Sequence, residues 1–415
     1  LDVIPSGLVD SLVVTKALSP DMEGDTIGGN VDVRTINMLD RGEPFLNVSA
    51  GGNYDSLIDQ AAPEFDLSGG HVFNIGGNRL GVAAAVSFDE RDFGSDNIEV
   101  DGNWNFEGAE PRLEDEVEKR DYIINRERLG FGVNIDYEVN EKHHFFVRTL
   151  YTDFVDAEKR HKNPVGEFAD PLAEGEVSGE LDELGDEREI TDRDKDQEIL
   201  SLKAGAEHRV RDWTLEYEGS YNEATELESG PRGTRFNGVF VPETPIEGVS
   251  FSGTRAPLFN EPDNALDPEN FTLDAAEFER VDNEDEEWQI KLDLKRDFML
   301  DTYPASVKVG GKVSRREKTR DTTAWEIDAD DFIASGIDAS QLGLENFSSR
   351  AIAWPLGNFG PQINPGTIRD LAAEVGPLSE FRDEEDSLVE DFVIEEDIEA
   401  AYIMGTIEID RLKLV

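Results

Sequence analysis

An all-β, antiparallel fold that closes into a transmembrane β-barrel is the fold class this sequence predicts, and three observations predict it. Apolar and polar residues alternate with period two over long stretches, the connections between those stretches alternate between short and long, and aromatic residues gather near stretch ends.

The alternation is direct to read. Leu129, Phe131, Val133, Ile135 and Tyr137 alternate with Gly130, Gly132, Asn134 and Asp136. Trp213, Leu215, Tyr217, Gly219 and Tyr221 do the same, as do Trp288, Ile290, Leu292 and Leu294, and Val307, Val309 and Val313. Side chains on a strand point alternately to opposite faces, so each stretch presents one apolar and one polar face. The pattern predicts strands near 45–54, 65–74, 80–92, 119–138, 143–155, 198–207, 213–223, 286–297, 305–315 and 397–409, with an eleventh opening at Leu412. Apolar residues stand on both faces of the tenth, which is expected where Tyr402 and Met404 meet something packed inside.

Connections at 75–79, 139–142, 208–212, 298–304 and 410–411 are tight, whereas those at 55–64, 93–118, 156–197, 224–285 and 316–396 are long. Long structureless connections are uncommon in compact domains. Short turns on one rim and long loops on the other are the asymmetry of outer-membrane barrels. A soluble β-sandwich would alternate too, but it does not predict this strict short–long order. Tyr54, Tyr137, Tyr151, Trp213 and Trp288 are expected at strand ends, as an interfacial girdle.

Composition narrows the function. The 415 residues hold 93 acidic and 39 basic side chains, a formal net charge of −54, which disfavours nucleic acid and anionic lipid surfaces as partners. No cysteine is present, so disulfides and thiolate metal sites are excluded. No catalytic signature, phosphate loop or nucleophile elbow is found, and the expectation is that the chain is not an enzyme and uses no cofactor. His143 and His144 are adjacent on a strand and point to opposite faces, so they cannot chelate one ion together.

Residues 1–36 read differently. Val9 to Ala17 forms a short strand before the Ser19-Pro20-Asp21 turn, and Gly28-Gly29 precedes a second alternating run. Val3-Ile4-Pro5-Ser6, Leu8-Val9, Val13-Val14-Thr15-Lys16, Leu18-Ser19-Pro20-Asp21-Met22 and Ile27-Gly28-Gly29-Asn30-Val31, followed by Arg34, resemble the final part of the plug domain of TonB-dependent receptors, most of all the subfamily abundant in xanthomonads and caulobacters. The motif covers about 36 residues and the strand pattern extends it. The resemblance implies residues 1–40 as the end of a plug and 41–415 as the first half of an outer-membrane barrel, ten to eleven strands of 22. It implies a fragment whose signal peptide, TonB box and first plug residues lie outside the sequence.

The resemblance also implies energised uptake across the bacterial outer membrane, with TonB and its inner-membrane complex, outer-membrane lipid and lipopolysaccharide as partners. The cargo implied is a carbohydrate; a ferric siderophore is the alternative, and a passive porin, a surface adhesin or a soluble carbohydrate-active β protein are the other classes. Candidate substrate contacts in the long connections are Trp104, Phe106, Trp325 and Trp354, whose rings can stack on sugars, and the basic pair Arg232 and Arg235. Acidic clusters at 107–118, 174–198 and 380–399 read as solvated rims, with Asp182-Glu183 and Asp383-Glu384-Glu385-Asp386 as candidate calcium ligands.

Overall fold

The computed structural model describes residues 9–22, 28–100, 104–107, 112–113, 116–166, 178–180, 186–244, 246–252, 258–409 and 411–415. Pro5 and Asp182-Glu183 lie outside the described residues.

A hairpin of β1 (Val9–Thr15) and β2 (Asn30–Thr35) opens the fold, followed by one helical turn, α1 (Met38–Arg41), capped by the Asn37 side chain. The main body is one thirteen-stranded antiparallel sheet. Its strands are β3 (Phe45–Asp55), β4 (Gln60–Ile75), β5 (Asn78–Val100), β6 (Val117–Asn140), β7 (His143–Val165), β8 (Arg188–Val210), β9 (Trp213–Ser229), β10 (Arg235–Pro242), β11 (Phe271–Leu300), β12 (Tyr303–Asp328), β13 (Phe392–Ile409) and β14 (Leu412–Leu414), with the short Arg382–Asp383 strand beside β12. Neighbours in sequence are neighbours in space from β3 to β9 and from β11 to β14; β10 slots between β8 and β11 where β9 ends. Among the described residues β3 and β14 are the outer edges.

All eleven expected strands are found, and among the described residues four turns of two residues join them on one rim, at 76–77, 141–142, 211–212 and 301–302. Gly76 and Gly77 both adopt positive φ, 60° and 92°, as a two-residue hairpin with a right-handed twist requires. Two expectations need correction. The 55–64 connection is a tight turn between Asp55 and Gln60, not a long loop. The other long connections are shorter than expected because the strands continue: β7 reaches Val165 and β12 reaches Asp328. These extensions are polar on both faces over most of their length, as at 156–163 and 315–323, which hides them from a period-two search. They persist because the hydrogen-bond ladder is unbroken and oppositely charged residues meet across it, as Arg126 Nε does Asp156 at 3.0 Å.

Register fixes where the apolar stretch stops on each strand. Leu129 faces Asp153, Tyr151 faces Leu200, Leu200 faces Glu223, Tyr221 faces Trp288, Trp288 faces Arg315 and Val313 faces Glu399. The last apolar residue therefore steps by two residues at four of the six passages from β6 to β13. Taking about 3.3 Å per residue and about 4.8 Å between strands, the strands lie roughly 40° from the normal to the band's edge. The girdle expectation changes accordingly. Tyr151 and Trp288 are mid-strand, and with Tyr221 they stand where the apolar part of each strand ends.

This apolar band is bare. Ile290 is 59%, Leu292 52% and Ile403 73% exposed, and Phe131, Val147, Leu202, Trp213 and Val309 are exposed beside them. Burial is found elsewhere. Beyond the band, the same face carries a packed layer in which Phe236, Phe271, Phe278 and Ile327 from the strands meet Phe332 of α2 (Ala329–Ala334) and Ile368 of α3 (Pro365–Val375). Among the described residues no helix is long and apolar enough to cross a membrane, which says nothing of strands.

Candidate functional site

The opposite, polar face of the sheet holds the N-terminal segment. Met38 settles where the sheet has no side chains: a Cβ on Gly70 would come within 2.5 Å of its Sδ, and one on Gly81 within 2.9 Å of its Cβ. Ile36 and Met38 bury Ala83 and Ala85. Polar groups fix the rest. Asn134 Nδ2 donates to Ile36 O at 2.9 Å and Arg79 Nη2 to Leu39 O at 3.2 Å. At the Ser19-Pro20-Asp21 turn, Lys308 Nζ lies 3.0 Å from Asp21 Oδ2 and 3.3 Å from Asp293 Oδ2, while Lys291 Nζ donates to Asp21 O at 3.1 Å. Tyr402 Oη donates to Asp293 Oδ1 at 2.8 Å, and Tyr402 shares a cleft with Pro20, Asp21 and Met22. At this turn, Lys308 is shared between the segment's own carboxylate and the sheet's.

The plug-like glycines have local reasons. Gly29 has φ 142°, and a Cβ there would approach Thr15 O to 2.7 Å; Gly28 has φ 85°. Asn30 pairs with Thr15, Arg34 with Asp32 at 3.0 Å, and Lys16 is exposed.

Farther along the polar face, β10, β11, β12 and α4 (Glu384–Leu388) enclose a cleft of about 270 Å³. Among the described residues, Arg235 is its one cation, 2.7 Å from Glu279, beside Asn237, Glu277, Glu326, Asp383 and Asp386. Burial pushes the Glu277 carboxyl above the usual range, with Glu189 and Asp386 adding repulsion against Asn237 and Arg235. Burial does the same to Glu326, helped by Glu277 and Asp383. Such a cleft offers many hydrogen-bond acceptors, suited to hydroxyls or a cation, and it repels anions.

Of the expected contacts, Arg235 and Trp325 reach this cleft, Trp325 while also packing on the far-end core. The others do not. Arg232 pairs with Asp370 at 2.8 Å on the surface. Trp354 is buried, donates to Arg120 O at 3.4 Å and packs on Phe359. Trp104 stands in a separate short hairpin, and Phe106 beside it is 68% exposed. Asp383 uses its carboxylate to cap α4, accepting from Glu385 N and Asp386 N. Among the described residues, the carboxylates close enough to share an ion are instead Glu223, Glu284 and Glu286, whose oxygens lie within 4.8 Å; the single Tyr221 hydroxyl proton already lies between Glu223 and Glu286, 2.8 and 3.0 Å from Oη.

Sequence reasoning missed the charges buried in the far-end layer. Lys119 Nζ lies 2.7 and 2.8 Å from the Glu261 carboxylate oxygens, and Arg188 pairs with Asp186 beside it. One signal was available: Lys119 and Asp121 share the parity of Leu129 and Phe131, so they point to the apolar face.

Glu187 gives this end a pH dependence. Burial, and then the Glu189 charge, push its carboxyl up to about 8 from 4.5. Between those values the folded chain keeps a proton that the unfolded chain has lost, so this group's contribution falls as pH rises through that window. Thermal melting at several pH values from 5 to 8 should show stability declining, and Glu187→Gln should flatten the decline; an unchanged slope in the variant would count against it.

Comparison with known proteins adds nothing to the geometry: no family model, curated protein or solved structure matches the chain.

Proposed function

We propose that the chain forms part of a TonB-dependent receptor of the bacterial outer membrane, with the sheet as a section of the barrel wall and the N-terminal segment as the end of the plug. One observation carries this reading: a bare apolar band and a docked segment lie on opposite faces of the same strands. The band suits lipid. From Trp213 to Tyr221 it covers nine residues, which at about 3.3 Å each and a tilt of roughly 40° gives a height near 23 Å, against about 25 Å for outer-membrane barrels. That tilt also lies in the range that barrel closure requires. Closure needs strands that pair with β3 and β14, since an open edge is not tolerated in a bilayer.

The Asp21–Lys308–Asp293 contacts support a plug that is held by charge and can be released by pulling. The acceptor-rich Arg235 cleft favours a hydroxyl-bearing, uncharged or cationic cargo, so oligosaccharide ranks above an anionic ferric chelate. A passive porin or adhesin has no use for the docked segment. The test is fractionation of the full-length protein, followed by uptake of labelled oligosaccharides and ferric siderophores by cells with and without TonB. Recovery in the soluble fraction without detergent, or uptake independent of TonB, would defeat the proposal.

A further inference from the structure

His143 and His208 face each other across β7 and β8 on the apolar side, His143 as the first residue after its turn and His208 three residues before the next. Their Nδ1 atoms are 3.0 Å apart and their rings meet edge to face at 5.1 Å. Tyr217 of β9 reaches His208 Nε2 at 3.2 Å through its hydroxyl, and the Phe145 ring stands 5.4 Å from His208. His144, one residue along, is on the other face with Asp136.

From this arrangement we infer that His143 and His208 form a binding site for a late first-row divalent transition metal, with Cu²⁺ preferred over Zn²⁺. The two imidazoles bring the same type of nitrogen to hydrogen-bond distance, close enough for one ion to replace the shared proton with a small turn of each ring. With metal–nitrogen bonds of about 2.05 Å, a 3.0 Å separation closes a nitrogen–metal–nitrogen angle of roughly 95°. That is near the cis angle of square-planar or octahedral coordination, and imidazole sites bind Cu²⁺ more tightly than Zn²⁺ in general. Tyr217 favours the chelate through the tautomer. A proton on His208 Nε2 donates to the Tyr217 oxygen, which leaves His208 Nδ1 with its lone pair toward His143. Without metal, His143 Nδ1–H donates to that lone pair. On metal binding, His143 carries its proton on Nε2 instead. Lys142 and Arg209 flank the site, and Glu207 holds Arg209 at 2.5 Å, which reduces the repulsion an incoming cation meets. Water or buffer fills the remaining positions. The site does not depend on the transport reading.

Electron paramagnetic resonance of the purified full chain with one equivalent of CuSO₄ at pH 7.5 tests this. Two imidazole nitrogens should couple to the copper, and acidification to pH 5 should displace it. His143→Gln and His208→Gln should each weaken binding at least tenfold, Tyr217→Phe several-fold, and His144→Gln not at all. Circular dichroism verifies that each variant keeps its strands. A parent spectrum with fewer than two nitrogens, which needs no variant, would overturn the proposal. So would a two-nitrogen signal that survives His143→Gln/His208→Gln, or Zn²⁺ bound more tightly than Cu²⁺.

Discussion

Lys119→Ala should destabilise the far-end layer by about 3–5 kcal/mol, the usual cost of removing one partner of a buried ion pair. All three Nζ protons of Lys119 have acceptors: the two Glu261 oxygens and Asn358 O at 3.2 Å. Burial pushes the ammonium's pKa down, and the Arg188 charge adds to this; Glu261 and Asp186 oppose it. With Lys119 gone, the Glu261 carboxylate has no exposed surface and, among the described residues, only Arg188, 3.9 Å away, as a cation to face. Arg188 is itself committed to Asp186 and to Ala265 O, and Asn163 Nδ2 donates to the same Asp186 oxygen at 2.8 Å. The cost therefore spreads to the segments that bring these groups together, at 119, 186–188, 261–265 and 358. Hydrogen exchange should show protection falling around Phe271 and Leu273 while the ladder between Tyr217 and Leu292 keeps its own, because elements open in cooperative units. Lys119→Met/Glu261→Leu should recover most of the loss, since an apolar pair of similar volume needs no compensation. If either single variant were as stable as the parent, the pair would have to be solvated and the layer open.

How far the sequence reveals this fold depends on which residues alternate. Leu129 to Tyr137 and Trp213 to Tyr221 each present one apolar face, and the period-two signal there places the eleven expected strands, but it misses β10 and the tight turn between Asp55 and Gln60. Above Tyr151 the signal vanishes: Asp153, Asp156, Glu158 and Arg160 are polar whichever way they point. What keeps these residues in a strand is the partner across the ladder, such as Arg193 Nη2 3.1 Å from Glu158 Oε2, and that requires knowing the register. The far-end core is hidden for a related reason. Phe236, Phe332 and Ile368 come from stretches that read as loop, and they make a core only because their elements meet. The site is half legible. Arg235 stands out as a cation in an acidic chain, but Glu277 and Asp383, which make its cleft, are distant in sequence and are brought in by pairing with β10 and β12. Trp354 carries the opposite lesson: a tryptophan in a long connection is as able to fill a core as to stack on a ligand.

The membrane reading makes a prediction that depends on position rather than on chemistry alone. Leu292 lies on β11 inside the apolar band, between Tyr217 and Gly311 on the neighbouring strands, and is 52% exposed. In water, replacing so exposed a leucine with arginine should change stability by no more than about 0.5 kcal/mol. In a bilayer the same change puts a guanidinium among acyl chains, which costs about 2–4 kcal/mol near the midplane and about 0–1 near the interface. Denaturant unfolding of the full-length protein in phosphatidylcholine vesicles should therefore give a large loss for Leu292→Arg, and a small one for Trp288→Arg at the band's edge beyond the loss of the indole itself. Gln289→Arg, one residue on and facing Ser220 and Ser314 on the polar side, should be nearly silent. A sandwich whose apolar face was covered by a second sheet would penalise Leu292→Arg too, but it would penalise Ile290→Arg and Ile403→Arg alike, without regard to height. A gradient that falls toward Trp288 is what only a slab of hydrocarbon produces. Equal costs along the strand would remove the lipid from the argument and leave the docked segment as an ordinary packing contact.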